Sequence, residues 1–358
     1  MQPPAPLCAL IIVCRPTSED HLTGSDLINV AVIGVGAFGR NHARVYHQLA
    51  QQGHPVRLVG VVDADLERAD AVAREFDCRS FGSIDQLITT HSEVQAASVA
   101  VPTAHHYAAA SALMEGGVDV LIEKPLAPTL AEANELIALA KQHGRIAQVG
   151  HLERFNPAVR AALPLITKPM FFEIHRLSVF TPRSLDVDVV LDLMIHDLDV
   201  VMSFVNSPIT EIRAVGLPIL SPKVDIANVR MEFSSGCVAN FTASRVSTER
   251  VRKMRFFQPK QYVSIDYSRQ EVLVFSVGDA APGATPSINP DIAVSKPPVT
   301  AEEPLLAELK SFLDAVRTRT RPIVSVEDGR TALAAALEIV AEIEKHGEHL
   351  QLEALQSQ

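Results

Sequence analysis

The sequence predicts an α/β fold: an N-terminal Rossmann dinucleotide-binding domain followed by an α+β domain with a large, mostly antiparallel sheet. Three observations predict it. From Leu27 to about Gly150, short apolar runs alternate with helical patterns, and strands joined by helical crossovers pair in parallel. A Gly-x-Gly-x-x-Gly sequence, Gly34 to Gly39, stands where the first apolar run gives way to the first helical pattern. Beyond Gly150 the runs become closely spaced strands with short turns, which favour antiparallel pairing.

In chain order, the first half reads as strand Leu27–Ile33, helix Ala37 to about Gln52 with Phe38, Val45 and Leu49 on its apolar side, strand Arg57–Val62 and a charged helix Leu66–Phe76. Strand Ala96–Val101 closes at Pro102, and helix His105–Glu115 is stopped by Gly116-Gly117. Strand Val118–Ile122, helix Thr129–Gln142 and strand Arg145–Val149 complete it. The second half carries helices at Asn156–Leu163 and Asp192–Val205. Its strand candidates are Met170–Val179, Glu211–Gly216, Ile226–Phe233, Cys237–Ala243, Val251–Phe257, Gln261–Asp266 and Glu271–Phe275. Ser234-Ser235-Gly236 reads as a hairpin turn. Residues 279–298, rich in Pro, Ala and Gly, read as a loop before closing helices Ala301–Thr318 and Val326–Lys345. The expected division is an extension over 1–26, a dinucleotide-binding domain over 27–150, and a substrate and oligomerisation domain over 151–358.

With 32 Lys and Arg against 42 Asp and Glu, the net charge is −10, which does not attract nucleic acid. The apolar run Leu7–Val13 is too short to span a bilayer. No Lys or Arg precedes it, so a signal-peptide start is not expected. Cys8, Cys14, Cys78 and Cys237 form no Cys-x-x-Cys pair. They read as free thiols of a reducing cytoplasm, and no metal is expected.

The glycine motif follows a strand and opens a helix, the context in which it binds a dinucleotide. Gly34 permits the tight turn, Gly36 lets backbone approach the pyrophosphate, and Gly39 lets helix and strand pack closely. Ala37 and Phe38 complete the loop. Asp63 ends the second strand, where a carboxylate accepts hydrogen bonds from ribose hydroxyls and repels the extra phosphate of NADP. NAD is therefore expected, although Arg68 stands close by in sequence.

Lys124 follows the strand Val118–Ile122, at the carboxyl edge where open α/β sheets bind ligands. Asp192, His196 and Asp199 are offset by four and three within a helical pattern, placing all three on one helical face. Imidazole suits general-base work near neutral pH. Asp197 and Asp199 read as structural or surface residues, and His42, His47, His54, His91 and His143 as surface residues.

These motifs, with Val101-Pro102-Thr103 and His106, Glu123-Lys124-Pro125, and Asp192-Leu193-Met194-Ile195-His196-Asp197, resemble the Gfo/Idh/MocA family from about Leu27 to the C-terminus. The resemblance implies a sugar or polyol dehydrogenase. Pro102, Thr103, His106 and Glu123 would sit at the cofactor, Lys124 would contact the reacting hydroxyl, His196 would take its proton, and Asp192 would bind or orient substrate. The stretch Gly150 to Pro157, with the helix from Val190 to Asp197, is similar to the branch that oxidises the 3-hydroxyl of UDP-N-acetylglucosamine. It implies a 3-keto product for a separate aminotransferase, a route to diamino sugars of lipid A, and homo-oligomeric assembly. Arg154, Asn156, His175, Arg176 and Arg183 are candidate substrate contacts, the cations for a diphosphate. Two alternatives stand beside this one: a dehydrogenase of a UDP-sugar acid or a free polyol such as inositol, and a non-enzymatic NAD-binding regulator.

Overall fold

Two sheets organise the chain. The computed structural model describes residues 27–181, 187–278 and 292–349. The extension over 1–26, Arg183 and most of the Pro-rich loop lie outside them.

The first sheet is built from β1 (Ile28–Ile33), β2 (Val56–Val62), β3 (Arg79–Phe81), β4 (Ala96–Val99), β5 (Asp119–Glu123) and β6 (Ala147–Gly150). Its order is β3-β2-β1-β4-β5-β6, with every pair parallel. The order reverses between β1 and β4, which opens a crevice beyond their carboxyl ends. Helices α1 (Ala37–Gln51), α2 (Leu66–Glu75), α3 (Ile84–Thr90), α4 (His106–Glu115) and α5 (Leu130–Gln142) cover its faces. The pattern reading left β3 and α3 out. Three residues are too few to show a period of two, but Ser83 and Gln86 carry a capping-box spacing, and the Gln86 backbone N–H does donate to Ser83.

The second half adds α6 (Pro157–Ala162), β7 (Phe171–Leu177), α7 (Ile195–Val205), β8 (Ile209–Leu217), β9 (Ile226–Phe233), β10 (Val238–Ser244), β11 (Val251–Gln258), β12 (Gln261–Asp266), β13 (Glu271–Val277) and β14 (Ile292–Ser295). The eight strands run β14-β13-β12-β11-β7-β10-β9-β8, antiparallel apart from the β7–β10 pair. β14 lies inside the stretch read as loop. One face of this sheet buries Phe172, Phe241, Met254 and Phe256 against α7 and the last helix, α9 (Val326–His349).

Helix α8 (Pro304–Thr318) follows the second sheet in sequence but packs on the first, where Leu309, Phe312 and Leu313 meet Tyr46 and Leu49 of α1. Helix α9 spans both cores, contributing Leu333 to one and Ala336 and Ile339 to the other. The two sheets are thus tied by the C-terminal helices, and the cleft between them is fixed by packing. Among the described residues no helix is long and apolar enough to cross a membrane.

Candidate active site

The loop after β1 is shaped by its glycines. Gly34 has φ +81°, a left-handed conformation that only glycine adopts freely. A Cβ on Gly39 would lie 1.7 Å from the Gly34 carbonyl oxygen, so side chain and turn exclude each other. A Cβ on Gly36 would meet nothing, because that position faces an open cavity of about 730 Å³. Helix α1 starts there with no side-chain cap and no acidic residue in its first turn, leaving free N–H groups and the positive end of the helix dipole for an anion. The cavity is lined by Ala37, Phe38, Pro102 and His105, with Asp63 and Arg68 at the far side.

Asp63 accepts hydrogen bonds from the Val35 and Asp65 backbone N–H groups and from Arg68, at 2.7–3.0 Å. Burial pushes its carboxyl up, but the Arg68 guanidinium and the two amides outweigh this and hold it below the usual range. The cavity, the uncapped helix and the fixed carboxylate together suit a dinucleotide. The structure brings Gly34, Gly36, Ala37, Phe38, Asp63 and Pro102 to this cavity. It does not bring His106 or Thr103. His106 is buried beneath it, with Nδ1 2.9 Å from the Pro125 carbonyl and Nε2 2.9 Å from that of Val101. One residue along a helix turns a side chain by about 100°, and His105 takes the lining position instead.

A second cavity, a cleft of about 380 Å³, adjoins the first through Phe38, which lines both. Its walls include Glu123, Lys124, Arg176, Asp192, His196 and Arg252. Lys124 leaves the end of β5, and its Nζ donates to the Asp192 carbonyl at 2.7 Å and sits 3.4 Å from the Asp192 carboxylate. Asp192 belongs to a π-helical turn, Val190–Met194, that runs into α7. His196 is in the first turn of α7. Burial lowers its pKa well below 6.5, and the charges of Lys124 and Arg176 lower it further. At neutral pH the imidazole is therefore an unprotonated base.

Asp199 does not share this wall. Three residues of α-helix fall about 60° short of a full turn, and its carboxylate lines a different cavity with Arg154. That also removes Arg154 from the cleft: its guanidinium lies 3.6 Å from Asp199 and donates to the Ile323 carbonyl. Asn156 is buried as the cap of α6 and donates to Glu153 and the Tyr267 carbonyl. His175 alternates with buried neighbours on β7 and is only half-buried, facing the other side of the sheet from Arg176. Arg176 reaches the cleft but is already neutralised, donating to both oxygens of Asp197 at 2.6 and 2.9 Å and to Glu153 at 3.0 Å. Burial lowers its pKa, yet those two carboxylates raise it well above the ordinary value. Arg154, Asn156 and Arg176 are thus engaged in contacts within the fold, and His175 lies away from the cleft. Asp197, read as structural or surface, is the buried partner of this pair.

Sequence reading missed two cleft residues, His42 and Arg252, and a buried neighbour of the cleft, His151. His42, read as a surface histidine, is buried between Ser98 (3.1 Å) and Glu123 (2.9 Å). Burial raises the Glu123 pKa, but the hydrogen bond and charge of His42, together with Lys124, bring it below 4.5. His42 lies on the buried side of α1 with Val45, Tyr46 and Leu49, a helical spacing that was readable. His151 directly follows β6 and is buried. Arg252, on β11, lines the cleft with its Nε sealed from solvent and without a hydrogen-bond partner. Burial, then the charge of Arg176, lowers its pKa. Neither of the last two carries a local signal.

Known proteins are similar to this chain in sequence and fold. Residues 28–151 match the oxidoreductase family with an NAD-binding Rossmann fold, and residues 171–261 match the GFO/IDH/MocA C-terminal domain. The chain is 37% identical over 318 residues to the UDP-N-acetylglucosamine 3-dehydrogenase of Acidithiobacillus ferrooxidans, covering 88% of this chain and 97% of that one. A solved structure of that enzyme superposes with a TM-score of 0.81 over 89% of this chain and 98% of its own. The scyllo-inositol 2-dehydrogenase (NAD(+)) of Bacillus subtilis is 26% identical, with 87% and 92% covered.

Proposed function

Because the chain belongs to the GFO/IDH/MocA family of NAD-binding oxidoreductases, we propose that it oxidises the 3-hydroxyl of UDP-N-acetylglucosamine to the 3-keto sugar. One observation carries this reading: Lys124 and His196 line a single cleft that meets the glycine-loop cavity at Phe38. The loop 34–39 and the α1 N-terminus would hold the pyrophosphate, and Asp63 the adenosine ribose. Bound there, NAD supplies the hydride acceptor.

The protein's own groups do the rest. Lys124, fixed by Asp192, presents an ammonium to the reacting oxygen and stabilises developing alkoxide charge. His196, neutral and desolvated, takes the hydroxyl proton. Glu123, braced by His42, sets the backbone from which Lys124 projects, since the Lys124 N–H donates to its carboxylate at 3.2 Å. Arg252 favours a nucleotide sugar over a free polyol: a desolvated cation with an unpartnered N–H attracts an anion such as a diphosphate. Retention of a base and a cation in one cleft separates this reading from a non-catalytic binder.

A 3-keto sugar is the kind of substrate an aminotransferase consumes, so the proposed product would feed diamino-sugar synthesis such as that of lipid A. The outer face of the second sheet carries a stack Phe171–Phe257–Tyr262–Phe275, with centroids 4.9–5.7 Å apart, flanked by exposed Leu273 and Val294. An apolar face of this kind is covered in a homo-oligomer. Among the described residues Cys78 and Cys237 are free thiols, in keeping with a cytoplasmic enzyme.

The test is NADH formation with UDP-N-acetylglucosamine, UDP-N-acetylglucosaminuronate and myo-inositol, run with an aminotransferase and amine donor to draw off the ketone. Turnover is expected with the first. His196→Ala and Lys124→Ala should each lower kcat roughly 10²–10⁴-fold. Turnover confined to inositol would reassign the substrate, and near wild-type rates in both variants would refute the chemistry.

A further inference from the structure

Oxidation of a secondary alcohol divides two hydrogens. The carbon-bound one leaves with its electron pair to the nicotinamide, and the hydroxyl one leaves as a proton, so each turnover deposits one proton on His196. Cofactor and sugar together would fill the cleft side of His196, while its Nδ1 is sealed from solvent. We propose that the proton leaves inward, from His196 through His151 to Asp199, and reaches solvent in the cavity beyond α7. The proposal rests on the dehydrogenase reading given above.

The geometry points there. His196 Nδ1 is sealed from solvent with no hydrogen-bond partner, as are both ring nitrogens of His151 and Oδ2 of Asp199. Buried polar atoms are nearly always satisfied, yet four unpartnered atoms fall on three neighbouring groups, His151 and Asp199 being close enough for each to feel the other's charge. The His151 and His196 rings lie edge to face, centroids 6.4 Å apart, a spacing suited to transfer through one intervening water. Asp199 is 3% exposed and lines a cavity of about 530 Å³ with Arg154, Met202, Ser203, Asn206 and Asp328. That cavity shares no lining residue with the catalytic cleft.

The chemistry balances at each step. His196 gains a proton on the cleft side and gives one up from Nδ1. His151 accepts it on one nitrogen and releases from the other, returning to neutral after a ring or tautomer change. Asp199 accepts it as a carboxylate and passes it to water in the outer cavity. Burial lowers the His151 pKa and raises that of Asp199, so donor and acceptor approach each other in affinity, as proton transfer requires. The charged groups facing the path are Lys124, Arg176 and Arg252 at His196, Lys124, Arg154 and Glu123 at His151, and Arg154, Asp328 and Glu308 at Asp199. His151 and Asp199 act through His196 and touch neither substrate nor cofactor.

The experiment compares wild type, His151→Gln and Asp199→Asn in the NADH assay across pH, with and without a high concentration of imidazole buffer. Each variant should lose kcat by roughly ten- to hundredfold, keep its KM for NAD and sugar, and recover with imidazole, while wild type ignores the buffer. Full activity in both variants, or a loss accompanied by a raised KM and no recovery, overturns the relay. If wild type turns over none of the three substrates, the substrate reading fails, and the relay is decided by the titration that follows. In the NAD-bound protein, the ring NMR titration of His196 should shift on His151→Gln, and an unmoved titration overturns the link.

Discussion

His196 works as a base because of what surrounds it. Burial is the first cause of its lowered pKa and the Lys124 charge the second. The active form is neutral, so kcat/KM falls as pH drops through that pKa, and the wild-type plateau extends well below pH 6.5. Lys124→Met removes a cation that opposes protonation. Its residual activity should therefore show the acid limb displaced toward higher pH, and a pH profile of kcat/KM reads this directly. An unmoved limb would mean that the two groups do not sense each other. Lys124, Asp192 and His196 were legible because they sit in short motifs at element ends. His151 and Arg252 were not, because each takes its meaning from groups far away in sequence, whereas the inward turn of His42 was readable from its helical spacing with Val45, Tyr46 and Leu49. The same reason explains the candidates that left the cleft. Arg176 is suited to phosphate by type, but Asp197 and Glu153 already occupy its donors.

At the level of elements, the binding loop and α1 are one object. The Gly39 position touches the Gly34 carbonyl so closely that a methyl group must separate helix from strand. Gly39→Ala should cost about 1–3 kcal/mol or more of stability and weaken NAD binding at least tenfold, since the N–H groups of α1 would shift by a sizeable part of an ångström. Thermal unfolding with a NAD titration measures both, and unchanged NAD affinity would remove the tight turn from the binding argument. The start of α7 shows the limit of periodicity. Offsets of four and three predicted one shared face for Asp192, His196 and Asp199. Asp192 and His196 line the cleft, whereas Asp199 lines a separate cavity with Arg154, a difference that offsets within the helix do not announce.

Across the whole molecule, a buried carboxyl without a partner carries a cost. Glu308 on α8 is wholly buried and neither carboxylate oxygen has a hydrogen-bond partner. Burial raises its pKa well above 4.5, and the nearby Glu123 and Asp199 raise it further. The unfolded chain ionises this group more readily, so its contribution is most favourable below about pH 4.5 and declines as pH rises toward the folded-state pKa. Glu308→Gln should therefore raise Tm by roughly 2–4 °C at pH 8, with the gain vanishing near pH 4. A Tm difference independent of pH would show that the carboxyl does not titrate on unfolding.

By itself the sequence determined what local rules govern. Alternation of apolar runs and helices, the glycine spacing, the strand-terminal Lys124 and the change of rhythm after residue 150 each depend on neighbours within one element, so they announced two kinds of sheet and a dinucleotide loop. Only the folded chain decided which helix covers which sheet, that α8 doubles back onto the first, and that Arg252 and His151 arrive beside His196 from separate strand ends. Those outcomes follow from burying apolar faces and pairing buried charges between groups far apart in the chain, and neither leaves a periodic trace in the order of amino acids.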